Sequence, residues 1–412
     1  MRLLGIGTIH IQMVTKTNMT DQMGQVIVDF TTIAIQTGGW MEMDRLYLYN
    51  RLKTMSGYSG ELSQPVHAIN ANEAPELAAQ LTECYFQQSK QDQVSEVEWK
   101  KKLVDFLDLL TPPTSVVNAL FAKYYAKSPK EATDYFYQLN KITGTIQKVG
   151  ELIDEPLFDK AQFKACIVPD GAMEKAFDAD YRFDMEGSCG ATTEEIHTNR
   201  RMIRMNLQGE SYGFHYLSDE ILAEEFTVIA EKEQSLSLHA KLSHLGRLVE
   251  LFPHYFVATN NGNNQERVGD QYRGASDPLP IYQASTKFQC KLPFFPEVAV
   301  TALNWPVPVL RIQATNQHAL LKTAEYVIKA LQQGEQIGDA NNSLHLATAS
   351  KDVLLLARKS DSGHELYVAF HSEKTLTEVQ ALGAFGILVM PNASIADHKR
   401  FIQQLNGTFH TF

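Results

Sequence analysis

The chain has 412 residues, 44% hydrophobic and 21% charged, with a formal net charge of −11. That composition excludes collagen-like, disordered and disulfide-scaffold proteins, and the length predicts two or three domains, each with its own core. The charge is uneven: residues 1–150 carry 14 basic against 15 acidic side chains, residues 151–236 carry 8 against 19, and residues 237–412 carry 15 against 14. With no basic stripe to neutralise phosphates, a nucleic-acid partner is not expected. The acidic middle reads as a solvated surface, with a docking face for a basic partner as the other reading.

In chain order, the start from Met1 to Val14 has one Arg and a short apolar stretch interrupted by His10 and Gln12. It lacks the clean apolar core of a signal peptide, and Met13 and Met19 serve equally well as starts. Helices are predicted over Gln25–Ile35, stopping at Gly38-Gly39, over Asp44–Met55 and Glu73–Gln88, and over Trp99–Leu110 before Thr111-Pro112-Pro113 breaks the pattern. Ser128-Pro129-Lys130-Glu131 is a capping box with Pro at the first helical position, so another helix starts there.

From about residue 151 the texture changes to strands and hairpins. Met202–Leu207 and Tyr212–Leu217 flank a predicted turn at Gln208-Gly209-Glu210-Ser211. Phe226–Ala230 reads as a strand, Leu236–Leu251 as a helix ended by Pro253, Val307–Ala314 as a strand, and Leu320–Leu331 as a helix followed by Gly334. Val353–Arg358 and Glu365–His371 are expected to pair, and a strand at Phe385–Met390 precedes a final helix from Ser394 to Gly407. The expected division is a helical domain over 1–150 and an α+β region over 151–412, with hairpins and interspersed helices rather than a doubly wound sheet. The longest apolar runs are about ten residues where a membrane-spanning helix needs roughly 20, so no membrane partner is expected. Cysteines at 84, 166, 189 and 290 fit a reducing compartment, and the chain is read as cytoplasmic.

Several segments resemble the type 2 galactose-1-phosphate uridylyltransferases. They are Asp44-Arg45-Leu46-Tyr47 with Asn50-Arg51-Leu52, Leu110-Thr111-Pro112-Pro113-Thr114-Ser115, and the run from Ser128 to Tyr137. Phe252-Pro253-His254-Tyr255-Phe256, Phe295-Pro296-Glu297-Val298, Asn304-Trp305-Pro306 and Arg311 follow in the family's order. The resemblance implies a histidine-triad-like nucleotidyltransferase fold built on antiparallel sheet, and exchange of a uridylyl group between UDP-glucose and galactose-1-phosphate. That exchange needs a neutral imidazole to attack the α-phosphorus and later leave, with donors for the phosphoryl oxygens. In the family a His-x-His-x-Gln motif followed by Gly supplies them.

Here the corresponding segment is Gly269-Asp270-Gln271-Tyr272-Arg273-Gly274. The nucleophile position is Gln271, whose carboxamide lacks a comparably basic lone pair. The family's first histidine is Gly269 and its glutamine is Arg273. No two of the 13 histidines sit two residues apart, so a slip in alignment cannot restore the motif. The family's Cys-x-x-Cys survives only as Cys166, its Asn-Glu-His is Glu224-Glu225-Phe226, and its later His-Asn is Ser350-Lys351. Among the remaining histidines, His215 is predicted to face solvent. His239 and His244, five apart, do not share a helix face, and His254 is read as structural or surface-exposed. Cys290 has no neighbour that would activate it.

The expectation is therefore a homologue that keeps the fold and has lost the double displacement. It would act as a binder of a UDP-sugar or sugar phosphate, a regulator, or a partner for an intact homologue or a second copy of itself. The ligand-binding candidates are Asp270, Gln271, Arg273 and Arg311, with Tyr272 inside the degenerate motif, and no metal or cofactor is expected. The alternative is an active nucleotidyltransferase of altered mechanism.

Overall fold

The computed structural model describes residues 16–63, 69–90, 94–148, 151–158, 161–168, 182–183, 189–190, 201–232, 236–260, 271–305, 307–338, 342–345, 352–371 and 383–391. The chain forms two compact units, one of residues 1–147 with 180–204, the other of residues 148–179 with 205–412. The predicted final helix from Ser394 lies outside the described residues.

The first unit is helical: α1 (Lys16–Gln36), α2 (Arg45–Ser56), α3 (Ala74–Gln88), α4 (Glu96–Asp108), α5 (Thr114–Tyr125) and α6 (Pro129–Ile142). Helix α1 begins at Lys16 rather than Gln25 and buries Met23, Ile27, Phe30, Ile33 and Ala34 at three- and four-residue spacings. Gly38, at φ +83°, turns the chain after it. Helix α4 starts three residues early for a local reason: Ser95 and Glu98 form a capping box. Ser128 caps α6 as expected, its hydroxyl accepting from the Glu131 N–H at 3.1 Å. Helix α5 was not predicted. Its N-cap is Pro113, which has no side-chain acceptor, and its first turn holds Val116 and Val117, so both usual signals are weak.

The second unit carries α7 (Leu238–Leu251), α8 (Gln317–Gln332) and thirteen strands used below. These are β1 (Glu151–Phe158), β2 (Ala161–Val168), β3 (Ile203–Leu207, which starts in the first unit's range), β4 (Glu210–Tyr216), β5 (Phe226–Ala230), β6 (Phe256–Asn260), β7 (Gln271–Ala275), β8 (Thr286–Cys290), β9 (Ala299–Leu303), β10 (Val309–Ala314), β11 (Asp352–Ser360), β12 (Gly363–His371) and β13 (Ile387–Pro391). The fold is α+β, as expected. The predicted hairpin turn forms at Gln208-Gly209, both at positive φ, with Asn206 Oδ1 accepting from the Gly209 N–H.

Ten strands make one sheet in the order β8-β9-β10-β12-β11-β6-β7-β5-β4-β3, and β13-β2-β1 make a smaller one. The large sheet is palindromic in its element order. Each half runs hairpin, strand, helix, strand, strand: β3-β4-β5-α7-β6-β7 in one and β8-β9-β10-α8-β11-β12 in the other. The halves meet at the antiparallel β6–β11 pair, where Ala258 faces Leu356. The registers repeat across that pair. Leu356 faces Tyr367 and Tyr367 faces Arg311, just as Ala258 faces Arg273 and Arg273 faces Thr227. The row extends to His215 at one end and Thr301 at the other. By period-two alternation all these side chains share one face, and the opposite face packs on α7 and α8.

Candidate functional site

Gly269 and Asp270 lie outside the described residues. The rest of the degenerate motif is β7. Gln271 is half-buried opposite Asn260 of β6 and Ile229 of β5. Arg273, two residues on, shares its face and sits opposite Thr227. The Arg273 guanidinium is paired with Glu225: its Nε donates to Oε1 at 2.6 Å, and its Nη2 lies 2.5 Å from the same oxygen without hydrogen-bond geometry. Glu225 is fully buried, and its other oxygen, Oε2, accepts from the backbone N–H groups of Ile221 and Leu222 at 2.8 and 3.2 Å. Both carboxylate oxygens are thus occupied, one by charge and one by the turn that leads into β5. A buried ion pair with these extra bonds holds its geometry tightly. The resemblance makes Glu225 a retained position but gives it no partner. Forty-eight residues separate it from Arg273, and only the β5–β7 pairing brings the two together.

The other residues of β7 face α7. Tyr272 is fully buried, with its hydroxyl 3.0 Å from His244 Nδ1, which also lies 3.4 Å from the hydroxyl of Tyr212. Gly274 sits opposite Phe226, and a Cβ there would meet the Phe226 ring and the Phe256 carbonyl at 2.3 Å. Two retained members of the motif, the aromatic and the glycine, therefore have packing roles.

Arg311 lies on the Arg273 face and in the same row, four strands away. At about 4.8 Å per strand that is about 19 Å, too far for the two guanidinium groups to share one phosphate. Beside Arg311 is a second buried ion pair. Glu365 accepts from Arg358 Nε at 2.7 Å and from the Tyr367 hydroxyl at 2.9 Å on one oxygen, and from Gln313 Nε2 at 2.8 Å on the other. The Arg358 guanidinium stacks 3.8 Å from the Tyr282 ring centroid. Sequence reasoning missed Glu365, Arg358, Tyr367 and Tyr282. The first three alternate along two strands as an outward face would, Tyr282 lies in the 3-10 helix Pro280–Gln283, and nothing local marks that face as covered.

Burial pushes the Glu365 carboxyl up, but the bonds and charge from Arg358 with those from Tyr367 and Gln313 outweigh it and hold it below the ordinary carboxylate range. The stability this contributes is fully present above the unfolded value, about 4.3, and is lost as pH falls through the lower folded value. In thermal melts from neutral pH to pH 3, Glu365→Gln is expected to start below the natural protein and the gap to close below about pH 4. A gap independent of pH would contradict this.

His215 does not face solvent. It is 3% exposed, in the Arg273 row, with Nδ1 3.1 Å from the Tyr216 carbonyl. The alternation in β4 was read as one face out, whereas this part of the sheet is buried on both faces. His244 is buried on α7, while His239 is on the surface beside Glu325. Cys166 is a fully buried thiol, pushed up to about 11 by burial and by the charge of Glu225. Cys290 is buried against the Ile337 carbonyl. Among the described residues no group of His, Cys, Asp and Glu is arranged to hold a metal ion, and no helix is long and apolar enough to cross a membrane.

No family model matches the chain. A galactose-1-phosphate uridylyltransferase of Enterococcus faecalis is 27% identical over 347 residues, covering 75% of this chain and 66% of that protein. One of Staphylococcus saprophyticus is 26% identical over 397 residues, covering 88% of this chain and 77% of that one. Over most of its length the chain is similar to galactose-1-phosphate uridylyltransferases. Coverage of that extent takes in parts of both units and β7. A solved structure of yeast Ap4A phosphorylase Apa2 with Ap4A overlaps 68% of this chain and 95% of that one at 12% identity, with a TM-score of 0.43, below the level at which a shared fold follows.

Proposed function

We propose that this family member has lost uridylyl transfer and serves carbohydrate metabolism as a binder of a UDP-sugar or sugar phosphate, or as a partner of an intact homologue. One observation carries the reading. At the position of the attacking imidazole stands Gln271, and the neighbouring Arg273 is bound to Glu225. A carboxamide cannot form the phosphoramidate intermediate, and a guanidinium is always protonated and no nucleophile. The retained aromatic and glycine support the same reading, because both are explained by packing alone.

The test is a coupled assay with UDP-glucose and galactose-1-phosphate. The expected turnover is at background, and any kcat in the ordinary range of roughly 1–10³ s⁻¹ would overturn the proposal in favour of an active enzyme with another mechanism. Thermal-shift titration with UDP-glucose separates the two non-catalytic readings. A ligand at 100 times its dissociation constant stabilises by about 2.7 kcal/mol, so a rise of several degrees is expected for a binder. No rise at millimolar ligand leaves the protein-partner role.

A further inference from the structure

The register of the large sheet places Glu365 where Gln271 stands in the other half, Tyr367 where Arg273 stands, and Arg311 where Thr227 stands. Charge is distributed differently in the two places. Around Gln271, Arg273 and Glu225 cancel one another. Around Glu365, the carboxylate binds one guanidinium, that of Arg358, while Arg311 lies on the adjoining strand opposite Tyr367. Glu365 neutralises Arg358 and has both oxygens filled by Arg358, Tyr367 and Gln313. The charge of Arg311 is then unmatched: no acidic side chain among the described residues pairs with it.

Two donors in this cluster are also unfilled. Arg311 Nε and the Tyr282 hydroxyl are both buried, and neither has a hydrogen-bond partner. Both adjoin Tyr367, since Arg311 faces it across the β10–β12 pair and the Tyr282 ring lies 5.6 Å from the Tyr367 ring. Buried donors left unfilled cost free energy, and a cationic one most of all. What completes such a set is an acceptor carrying negative charge, since charge-assisted bonds to a guanidinium are the stronger kind. Arg311, Tyr282 and Arg358 are each only partly buried.

We propose that Arg311 and Tyr282, backed by Arg358 and Gln313, form a binding site for a small oxyanion of the phosphate-ester class, in the half of the sheet opposite the degenerate motif. Tyr282 is suited to donate there, since burial and the Glu365 carboxylate both oppose its ionisation. This inference stands apart from the loss of transfer chemistry: it names a different set of residues, and it holds or fails whatever the coupled assay shows.

The experiment is a thermal-shift titration of the full chain with inorganic phosphate at constant ionic strength, balanced with chloride, and in parallel with glucose 1-phosphate. The expected result is a saturable rise of about 5 °C with at least one of the two. A larger rise with the ester marks the sugar phosphate as the better ligand, and equal rises mark the phosphoryl group alone. Arg311→Gln and Tyr282→Phe should each remove most of the rise, while Arg247→Gln, an exposed arginine elsewhere on this unit, should keep it. Tyr282→Phe deletes only a hydroxyl, so it remains informative if Arg311→Gln folds poorly, and phosphorus NMR line broadening reads the same binding without a melt. No rise with either ligand, or an undiminished rise in both variants, overturns the site. So does a Tyr282→Phe protein that is more stable than the natural one and equally responsive to phosphate, because its hydroxyl would then be only an unsatisfied group.

Discussion

Glu225→Gln is expected to destabilise the protein by about 3–5 kcal/mol, the cost of leaving one member of a buried ion pair uncompensated. Glu225 is fully buried and the Arg273 side chain is 13% exposed, so the released guanidinium has little water to turn to. Glutamine keeps one oxygen for the Ile221 and Leu222 amides and turns its amide hydrogens toward Arg273, which isolates the loss of charge from the loss of the turn. Urea unfolding of Glu225→Gln, Arg273→Met and the double variant closes the cycle. The expected coupling is large, with the double variant more stable than Glu225→Gln alone, because removing the second charge removes the orphan. Additive effects in that cycle would mean that the pair contributes nothing and that Arg273 is free to hold another anion.

Gly274→Ala is expected to cost about 3 kcal/mol, at the upper end of overpacking. The methyl group would arrive 2.3 Å from both the Phe226 ring and the Phe256 carbonyl oxygen. The ring can rotate away, but the carbonyl belongs to the neighbouring strand β6 and moves only with it. The backbone angle is not the obstacle, since Gly274 lies outside the left-handed region and alanine would be comfortable there in isolation. Pairing the substitution with Phe226→Leu should recover only part of the loss, because the carbonyl contact stays. A melting temperature unchanged in Gly274→Ala would show that β6 and β7 are less tightly apposed than described.

These two results bear on why the motif looks as it does. The glycine and the aromatic are held by packing, and the arginine by a carboxylate. The glycine and the aromatic would persist in a protein released from the demand for a nucleophile, whereas Arg273 stands where the resemblance implies a glutamine. On the proposed reading, position 271, where the resemblance implies the nucleophile, holds a carboxamide.

Much of the architecture was legible along the chain. The Ser128 cap, the turn at Gln208-Gly209 and the apolar stripes of α1, α7 and α8 are local signals, each set within a few residues by hydrogen-bonding geometry or helical spacing. Helix α5 was not legible because a proline cap offers no acceptor to mark it. The burial of His215 was not legible either, because alternation along β4 describes which side chains share a face and not whether that face is covered.

The sequence by itself determined that no imidazole stands at position 271 and that no pair of histidines could replace it, since identity and spacing are properties of the chain alone. It also determined the α+β class. The tertiary structure decided which charges meet. Arg273 and Arg311, thirty-eight residues apart and both plausible phosphate ligands along the chain, lie in one row of one face yet four strands from each other. One is neutralised by Glu225 and the other has no counter-charge among the described side chains. That difference arises from strand order and register, which join segments tens of residues apart and which no local pattern encodes.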